Sequence, residues 1–355
     1  MSQQMKAAVY YGSADVRIEE REVPAAAPGE VLLKVLRSGM CGTDGSEFKS
    51  GPKIFATQTQ HPVSGHIGPM ILGHEFIGEI IEVNGDTGAF EVGDVVASGA
   101  GISCGTCRRC LENRTNLCER YVTLGLNRDG GMAEYVAVPS STLVKVPKNL
   151  NLDAAGLAQP LAVGLHAARR SGVKDGDKVL LIGAGAIGTF VLAGLKHLTK
   201  SDVTVLDFAG DRLDRATRLG ADHTVAVGEN AEREIREILG SAGADVVVEA
   251  SGAPGQLPFA ISLAKRGGII LQVGLPTAKQ EIDVHRIVMN EISIFTTLAH
   301  VCGQDLEPAL RILETTNLAA ELIEGVYPLS AISEQLELLS TGKVHGKVLF
   351  DPTMN

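Results

Sequence analysis

No apolar run in the 355 residues approaches the roughly 20 residues that a membrane-spanning helix needs. The first residues also lack the basic stretch followed by an apolar stretch that marks a secretory signal. Basic residues are outnumbered, with 32 Lys and Arg against 42 Asp and Glu and a net charge of −10. This balance argues against nucleic acid or an anionic membrane as a partner, because both select a basic face. We therefore expect a cytoplasmic protein.

Internal repeats, low-complexity tracts and long linkers are absent as well. Apolar residues make up 45% of the chain and charged residues 21%, which are ordinary values for a globular protein. The length suggests about two domains. Paired disulfides are rare in the cytoplasm, so the six cysteines need another explanation.

The composition changes near residue 155. Before it, short alternating strands are separated by glycine-rich turns, which is typical of an irregular β-domain. The predicted strands here are Glu30–Arg37, Phe76–Val83 and Met132–Val138. After it, short apolar runs alternate with helical stretches, which predicts a doubly wound parallel sheet covered on both faces. The six predicted strands are Lys178–Ile182, Val203–Leu206, Thr224–Val227, Asp245–Glu249, Ile269–Val273 and Ile292–Thr296, and the helices between them include Ala231–Leu239 and Gln256–Lys265.

The segment from about residue 297 to the end carries two further predicted helices and a last strand. These are Asp305–Glu314, Ala331–Leu339 and Lys347–Phe350.

A glycine-rich segment, GAGAIG at 183–188, follows the first of the six runs and opens a predicted helix. Strand, glycines and helix stand in the order that a dinucleotide-binding fingerprint requires. Gly183 would make the tight turn, Gly185 would let the backbone approach a pyrophosphate, and Gly188 would allow close helix packing. The alternative is an ordinary tight turn between a strand and a helix.

Asp207 closes the next apolar run and can accept hydrogen bonds from an adenosine ribose diol. Its charge would repel a 2′-phosphate, so NAD is favoured over NADP. Arg212 lies close enough in sequence to weaken this preference.

Four cysteines fall within fifteen residues, in the pattern C-x2-C-x2-C-x7-C: Cys104, Cys107, Cys110 and Cys118. Four thiolates can close a tetrahedral Zn²⁺ site that leaves no open coordination position, so this metal would be structural. An iron–sulfur cluster is the competing functional interpretation. A nucleic-acid-binding zinc ribbon does not suit an acidic chain.

The remaining metal-ligand chemistry lies in two short motifs, G-M-C-G-T-D ending at Asp44 and L-G-H-E-F around His74. Singly, Cys41 could be a buried thiol and His74 a core imidazole. Together with the glycine motif and the four-cysteine loop, these blocks resemble the zinc-dependent medium-chain dehydrogenase/reductase family in order and approximate spacing.

The resemblance implies a GroES-like β-barrel catalytic domain over residues 1–157 and 297–355, and a Rossmann NAD-binding domain over 158–296. It implies Cys41 and His74 as ligands of a catalytic zinc, with Glu75 as a ligand or exchangeable neighbour. Asp44 is similar to the carboxylate that orients the ligating histidine, and Thr43 to the hydroxyl that takes the substrate proton. Two zinc ions per chain and NAD are the expected cofactors. A bound alcohol would lose its proton on zinc and its hydride to the nicotinamide.

Two positions depart from the family pattern. The segment Q-P-L-A-V-G-L-H-A resembles a block of the polyol and butanediol dehydrogenase branch, but Gln159 stands where that branch typically has glutamate. Gln159 is either a zinc ligand or a helix-leading amide. Ser46 stands where many relatives carry a proton-relaying histidine, so we expect Glu47 or water to replace the relay.

The remaining expectations are also carried over from the family. The residues implied to contact the cofactor are Gly183, Gly185, Ile187, Gly188, Asp207, Arg212, Val273, Gly274, Thr297 and Leu298, with Lys347 as a pyrophosphate contact. The insertion over 57–65 resembles one in 2,3-butanediol dehydrogenases. Features of sorbitol dehydrogenases near Glu47 and Ala299 are absent, which favours a small vicinal diol or hydroxyketone. An exposed edge at Ile292–Thr296 predicts a homodimer or homotetramer.

Two other functions stay open at this point. A threonine or amino-alcohol dehydrogenase, or another polyol dehydrogenase, would share the same zinc motifs. A catalytically silent NAD-sensing protein would share the fold, but it would need none of Cys41, Thr43, His74 and Glu75.

Overall fold

A computed structural model of the chain describes residues 3–276 and 278–354. The chain divides into two compact units, one made of the residues up to Ala162 together with those from Val301, and one made of Val163–His300. Each boundary falls shortly after the predicted one. The first lies inside a helix that begins at Ala158, so it has no turn or linker that sequence could reveal.

The strands of the first unit are β1 (Gln4–Gly12), β2 (Asp15–Glu22), β3 (Glu30–Gly39), β4 (Met70–Ile71), β5 (Glu75–Asn84), β6 (Val95–Ser98), β7 (Gly101–Ile102), β8 (Val122–Thr123), β9 (Tyr135–Pro139), β10 (Leu143–Lys145), β17 (Ile323–Tyr327) and β18 (Lys347–Phe350). Its helices are α1 (Gly42–Ser50), α2 (Arg108–Leu111), α3 (Leu152–Ala155), α10 (Cys302–Thr315), α11 (Leu318–Leu322) and α12 (Ile332–Ser340), with α4 (Ala158–Arg170) beginning in it. Short 3₁₀ turns cover Thr115–Leu117, Ser140–Thr142 and Leu329–Ala331.

The strands of the second unit are β11 (Lys178–Ile182), β12 (Asp202–Asp207), β13 (His223–Ala226), β14 (Ala244–Glu249), β15 (Ala264–Gln272) and β16 (Ser293–Thr296). Its helices are α5 (Ala186–Leu198), α6 (Asp211–Arg218), α7 (Ala231–Leu239), α8 (Gln256–Leu263) and α9 (Val284–Met289).

The first unit is built around a mixed sheet in the order β10-β6-β5-β3-β18-β17, with β9 also on β3. A second sheet has the order β2-β1-β4. Along β3, Val31, Leu33 and Val35 are buried in the core while Lys34 between them is exposed. Leu32, on the opposite face, is buried in a separate apolar cluster, so that face of β3 is partly covered as well. The strand ends at Gly39, three positions before α1 begins.

The second unit has a six-stranded sheet in the order β13-β12-β11-β14-β15-β16, in which every pair is parallel. Successive residues of β11 face opposite sides: Val179 and Leu181 pack in one apolar cluster, and Leu180 and Ile182 in the other. Burial on both faces explains why these strands read as continuous apolar runs. The strand order reverses between β11 and β14, which is where ligands bind in such sheets.

The predicted α/β architecture is confirmed, and β11, β18 and α7 have the predicted bounds. The strand predicted over Met132–Val138 is wrong at its start, since β9 begins at Tyr135. The residues before it instead form an irregular segment bonded to Leu72 and Gly73. Among the described residues, no helix is long and apolar enough to cross a membrane.

Candidate active site and zinc centres

Cys41, His74 and Glu75 come together in the first unit, with their ligand atoms all within 4.8 Å of one another. The sheet brings them there, because Gly39 at the end of β3 pairs with Glu75 at the start of β5. Cys41 follows β3 as the N-cap of α1, and His74 precedes β5. His74 and Glu75 are buried, with 6% and 1% of their surfaces exposed. A thiol, an imidazole and a carboxylate at this spacing form a donor set that suits Zn²⁺.

Asp44 lies behind this cluster and is fully buried. One carboxylate oxygen accepts the backbone N–H of Cys41 at 2.9 Å, and the other lies 3.9 Å from His74 Nδ1. Burial raises the pKa of Asp44 above its ordinary value, while the facing His74 lowers it in part. Asp44 therefore fixes the backbone of one candidate ligand and faces the ring of another.

The electrostatics of His74 fit a metal ligand. Burial alone would lower its pKa, but Cys41, Asp44 and Glu75 raise it to about 10. These three acidic groups favour a positive charge at this point, and a cation that displaces the proton supplies one. His74 Nδ1 and one Asp44 oxygen have no hydrogen-bond partner among the described residues.

Thr43 follows Cys41 on the first turn of α1, with its Oγ1 3.8 Å from Cys41 Sγ. Gln159 is buried on the first turn of α4. The roles of Thr43 as proton acceptor and of Gln159 as ligand stay predictions.

Lys347 was predicted to contact the pyrophosphate of the cofactor, and the structure places its side chain elsewhere. Its ammonium does not lie exposed for a pyrophosphate but is buried, donating to Glu75 Oε2 and to the Met40 carbonyl at 2.5 Å each. Lys347 begins β18, which pairs with β3, so the sheet carries its side chain to the zinc-ligand candidates. The sequence signal was absent, because Lys347 lies 272 residues after Glu75.

Glu47 is a second residue whose predicted role does not agree with its contacts. It was expected to help replace the proton relay, yet its carboxylate is buried and accepts the backbone N–H groups of Lys53 and Ile54 at 2.9 and 2.8 Å. Glu47 therefore anchors the chain just before the insertion. The exposed Ser46 instead accepts a hydrogen bond from the Lys53 ammonium at 3.1 Å.

The four cysteines of the loop also converge, with their sulfur atoms within 4.8 Å of one another. Backbone N–H groups of Cys107 and Arg120 point at Cys104 Sγ and Cys118 Sγ, at 3.4 and 3.3 Å. Hydrogen bonds from Thr106 and the Cys107 backbone lower the pKa of Cys104 to about 6. Burial raises the pKa of Cys110 to about 11, so the sulfurs of the loop differ in how readily they lose their protons. Together they form a Cys₄ donor set of the kind that can hold a structural zinc.

The glycine motif forms a tight loop between β11 and α5. Gly183 has a φ of +96°, where a side chain would be strained, and a Cβ there would lie 3.0 Å from the Ser251 nitrogen. A Cβ on Gly188 would collide with the Gly183 carbonyl, whereas one on Gly185 would meet nothing within 4 Å. Ile187 packs on the apolar core. The first and last glycines are thus required by packing, and the middle one leaves the backbone open.

Asp207 ends β12 beside this loop. Its carboxylate accepts the N–H groups of Ala184 at 2.5 Å and Phe208 at 2.6 Å, and lies 3.6 Å from Arg212 Nη1. Asp207 therefore ties the glycine loop to β12.

The other predicted cofactor residues lie at the carboxyl ends of the strands. Val273 and Gly274 donate backbone hydrogen bonds to the Glu249 carbonyl, and Thr297 and Leu298 follow β16. Sequence reasoning missed Glu249, whose buried carboxylate accepts N–H groups of Ser251 and Gly252 at 2.8 and 3.0 Å.

Comparison with known proteins shows which family the chain resembles. The family model of the alcohol dehydrogenase GroES-like domain matches residues 27–148, and the family model of the zinc-binding dehydrogenase matches residues 186–315. A sorbitol dehydrogenase of Bacillus subtilis is 34% identical over 302 residues, which are 82% of either chain. The chain belongs to the zinc-dependent medium-chain dehydrogenase/reductase family.

Two further relatives are named for different substrates. An L-threonine 3-dehydrogenase of Burkholderia thailandensis is 34% identical over 272 residues, covering 76% of this chain and 77% of the relative. The crystal structure of 2R,3R-butanediol dehydrogenase from Bacillus subtilis matches with a TM-score of 0.90 and 31% identity, covering 98% of this chain and 100% of that one. The prediction of a zinc- and nicotinamide-dependent alcohol oxidoreductase is confirmed at the level of the family.

Proposed function

We propose that the protein is an NAD-dependent dehydrogenase of a small vicinal diol, acting also on the corresponding hydroxyketone in reverse. The observation that carries this proposal is the cluster of half-buried Cys41 with buried His74 and Glu75, with Thr43 and Asp44 beside it. In this proposal Cys41 and His74 hold a catalytic zinc, with Glu75 or Gln159 completing its ligands, and the four-cysteine loop holds a structural one.

When bound, zinc would act as a Lewis acid that lowers the pKa of the substrate hydroxyl. Thr43 Oγ1 would accept the hydroxyl proton as its own proton passes to solvent water, and Asp44 would keep the His74 ring in position. The glycine loop 183–188 binds the pyrophosphate, while Val273, Gly274, Thr297 and Leu298 contact the nicotinamide half.

The preference for NAD over NADP rests on Asp207. Its negative charge at the end of β12 disfavours a 2′-phosphate, and the glycine loop holds the carboxylate there through the Ala184 N–H. Arg212 binds the same carboxylate and is thereby less available to a phosphate.

The choice of a diol rests on the substrates named for two relatives and on Glu47. Sorbitol and butanediol share a pair of adjacent hydroxyl groups. A threonine substrate carries an ammonium group, which calls for a carboxylate. Glu47, the acidic residue that left this alternative open, is instead occupied by backbone N–H groups of Lys53 and Ile54.

A substrate panel tests the proposal. NADH formation would be followed with 2,3-butanediol isomers, 1,2-propanediol, sorbitol, L-threonine and simple secondary alcohols, before and after chelator treatment. We expect chelator-sensitive turnover, fastest on a small diol. Faster turnover of L-threonine would select the amino-alcohol alternative, and failure to bind NADH would contradict the cofactor assignment.

We further propose a cytoplasmic homodimer or homotetramer that joins through the β16 edge. Large apolar side chains are exposed on α9 and on β16, among them Val288 at 70% and Met289 at 59%. An uncovered strand edge beside such a surface favours pairing with a second copy.

A further inference from the structure

The residues just before the His74–Glu75 pair lie against a glycine-rich segment more than fifty positions later in the chain. Four hydrogen bonds join Ile71–Gly73 to Asp129–Met132. Asp129 Oδ1 accepts the Ile71 N–H at 2.9 Å, and the N–H groups of Gly130, Met132 and Gly131 reach the carbonyls of Ile71, Leu72 and Gly73 at 2.8–2.9 Å. This pairing ends one residue before His74.

Two positions of this contact, Gly73 and Gly130, accept only glycine. Gly73 has a φ of +98°, and a Cβ on it would lie 2.6 Å from the Met132 nitrogen. A Cβ on Gly130 would collide with the Gly73 carbonyl and lie 2.5 Å from Gly125 Cα. Real Cβ atoms do not come so close to backbone, so three backbone segments meet here without intervening side chains.

The next residue extends the contact past the ligands. A Cβ on Gly131 would lie 2.5 Å from the Phe76 ring, and Phe76 is buried in the core directly after Glu75. The 125–132 segment therefore touches the chain both before and after the His74–Glu75 pair. These contacts on both sides oppose a shift of that pair along the strand.

We propose that the segment 125–132 is a clamp that positions His74 and Glu75 for the catalytic zinc and sets how tightly this zinc is retained. The inference rests on the proposed function, since it requires a zinc at Cys41 and His74. Gly125, Gly130, Gly131 and Asp129 act through the ligands and are positioning residues. Groups that orient metal ligands typically change metal affinity 10- to 100-fold when altered.

The test compares zinc release from the zinc-loaded full chain of the wild type, Gly130→Ala and Gly12→Ala. Gly12 is a matched control, because a Cβ there meets nothing within 4 Å. Transfer of zinc to a chromophoric chelator would be followed over time, with the four-cysteine zinc as an internal reference. Thermal unfolding and NADH binding would report on folding.

In Gly130→Ala we expect one zinc per chain to be released at least tenfold faster, while the other zinc and NADH binding stay as in the wild type. Gly12→Ala should behave as the wild type. Unchanged release of both zinc ions in Gly130→Ala, or equal acceleration of both, would overturn the clamp.

Asp129→Ala keeps the test decisive if Gly130→Ala does not fold. It removes the bond to the Ile71 N–H without adding an atom, so it should accelerate release of the same zinc, and unchanged release would overturn the proposal. A wild type that holds only the four-cysteine zinc would instead refute the proposed function itself.

Discussion

At the scale of single residues, the buried pair of Lys347 and Glu75 is where charge matters most. The two side chains are 5% and 2% exposed. Removing one partner of a buried ion pair leaves the other charge uncompensated, which typically costs about 3–5 kcal/mol. Lys347→Met should lower the free energy of unfolding by about this amount in urea denaturation.

The exposed pair of Arg311 and Glu307 on α10 provides the control. Both side chains are more than 60% exposed, and solvent screens such pairs so strongly that they contribute little to stability. Arg311→Ala should therefore leave the free energy of unfolding nearly unchanged. A Lys347→Met variant as stable as Arg311→Ala would contradict the prediction that an uncompensated Glu75 charge is costly here.

The cysteines differ in reactivity for reasons of environment. Burial raises the pKa of Cys302 to about 12, and its thiol donates to the Thr142 carbonyl at 3.3 Å. The pKa of Cys104 is about 6 because N–H and O–H groups stabilise its thiolate. In zinc-free folded protein at pH 7.5, iodoacetamide should label Cys104 before Cys302, as mapped by mass spectrometry. Labelling in the opposite order would contradict this.

The pH dependence of stability follows from the same thiol. The pKa of Cys302 is higher in the folded protein than its ordinary value of about 9, so folding favours the protonated form. This contribution is complete below about pH 9 and is lost as the pH rises through about 12. Cys302→Ala should therefore weaken the alkaline loss of stability between these values, measured by urea denaturation at successive pH.

At the scale of elements, the four-cysteine loop has little regular structure of its own. It holds only the four-residue α2, one 3₁₀ turn and two-residue strands. A metal that joins its sulfurs would therefore add cross-links that stabilise the loop. Cys107→Ser should reduce zinc from two to one per chain and expose the loop to trypsin at its arginines.

Cys302→Ser is the matched control for this loop, since Cys302 lies outside both donor clusters. It should keep two zinc ions and the wild-type digestion pattern. Retention of both zinc ions by Cys107→Ser would show that Cys107 is not a ligand.

At the scale of the whole molecule, the apolar surface on α9 and β16 predicts self-association. Val288→Glu places a charge on this surface and should shift the protein toward a smaller species in sedimentation velocity. Val227 follows β13, at the other edge of the same sheet, and is 50% exposed. Val227→Glu should keep the wild-type size, and a Val288→Glu variant of unchanged size would place the interface elsewhere.

Much of this protein follows from local sequence, because its signals are local. The four cysteines lie within one loop, the glycine motif lies within one turn, and the strands of the parallel sheet are apolar runs buried on both faces. In each case neighbouring residues carry the whole pattern, so the α/β architecture and the four-cysteine zinc site could be predicted. Cys41, His74 and Glu75 lie in two separate motifs and were predicted only from the family resemblance.

Contacts between distant residues could not be predicted in this way. Lys347 reaches Glu75 only because β18 pairs with β3, and Gly130 meets Gly73 only because an irregular segment returns to β4. The carboxylate of Glu47 could serve as a proton relay or bind a substrate group. In the folded protein it instead accepts a hydrogen bond from the Ile54 backbone N–H. The sequence by itself determined which groups are candidates to bind zinc and the dinucleotide, because each motif is a run of neighbouring residues. The tertiary structure alone decided which buried charges and glycines lie against those groups, because strand pairing and the return of the chain set these contacts and spacing does not.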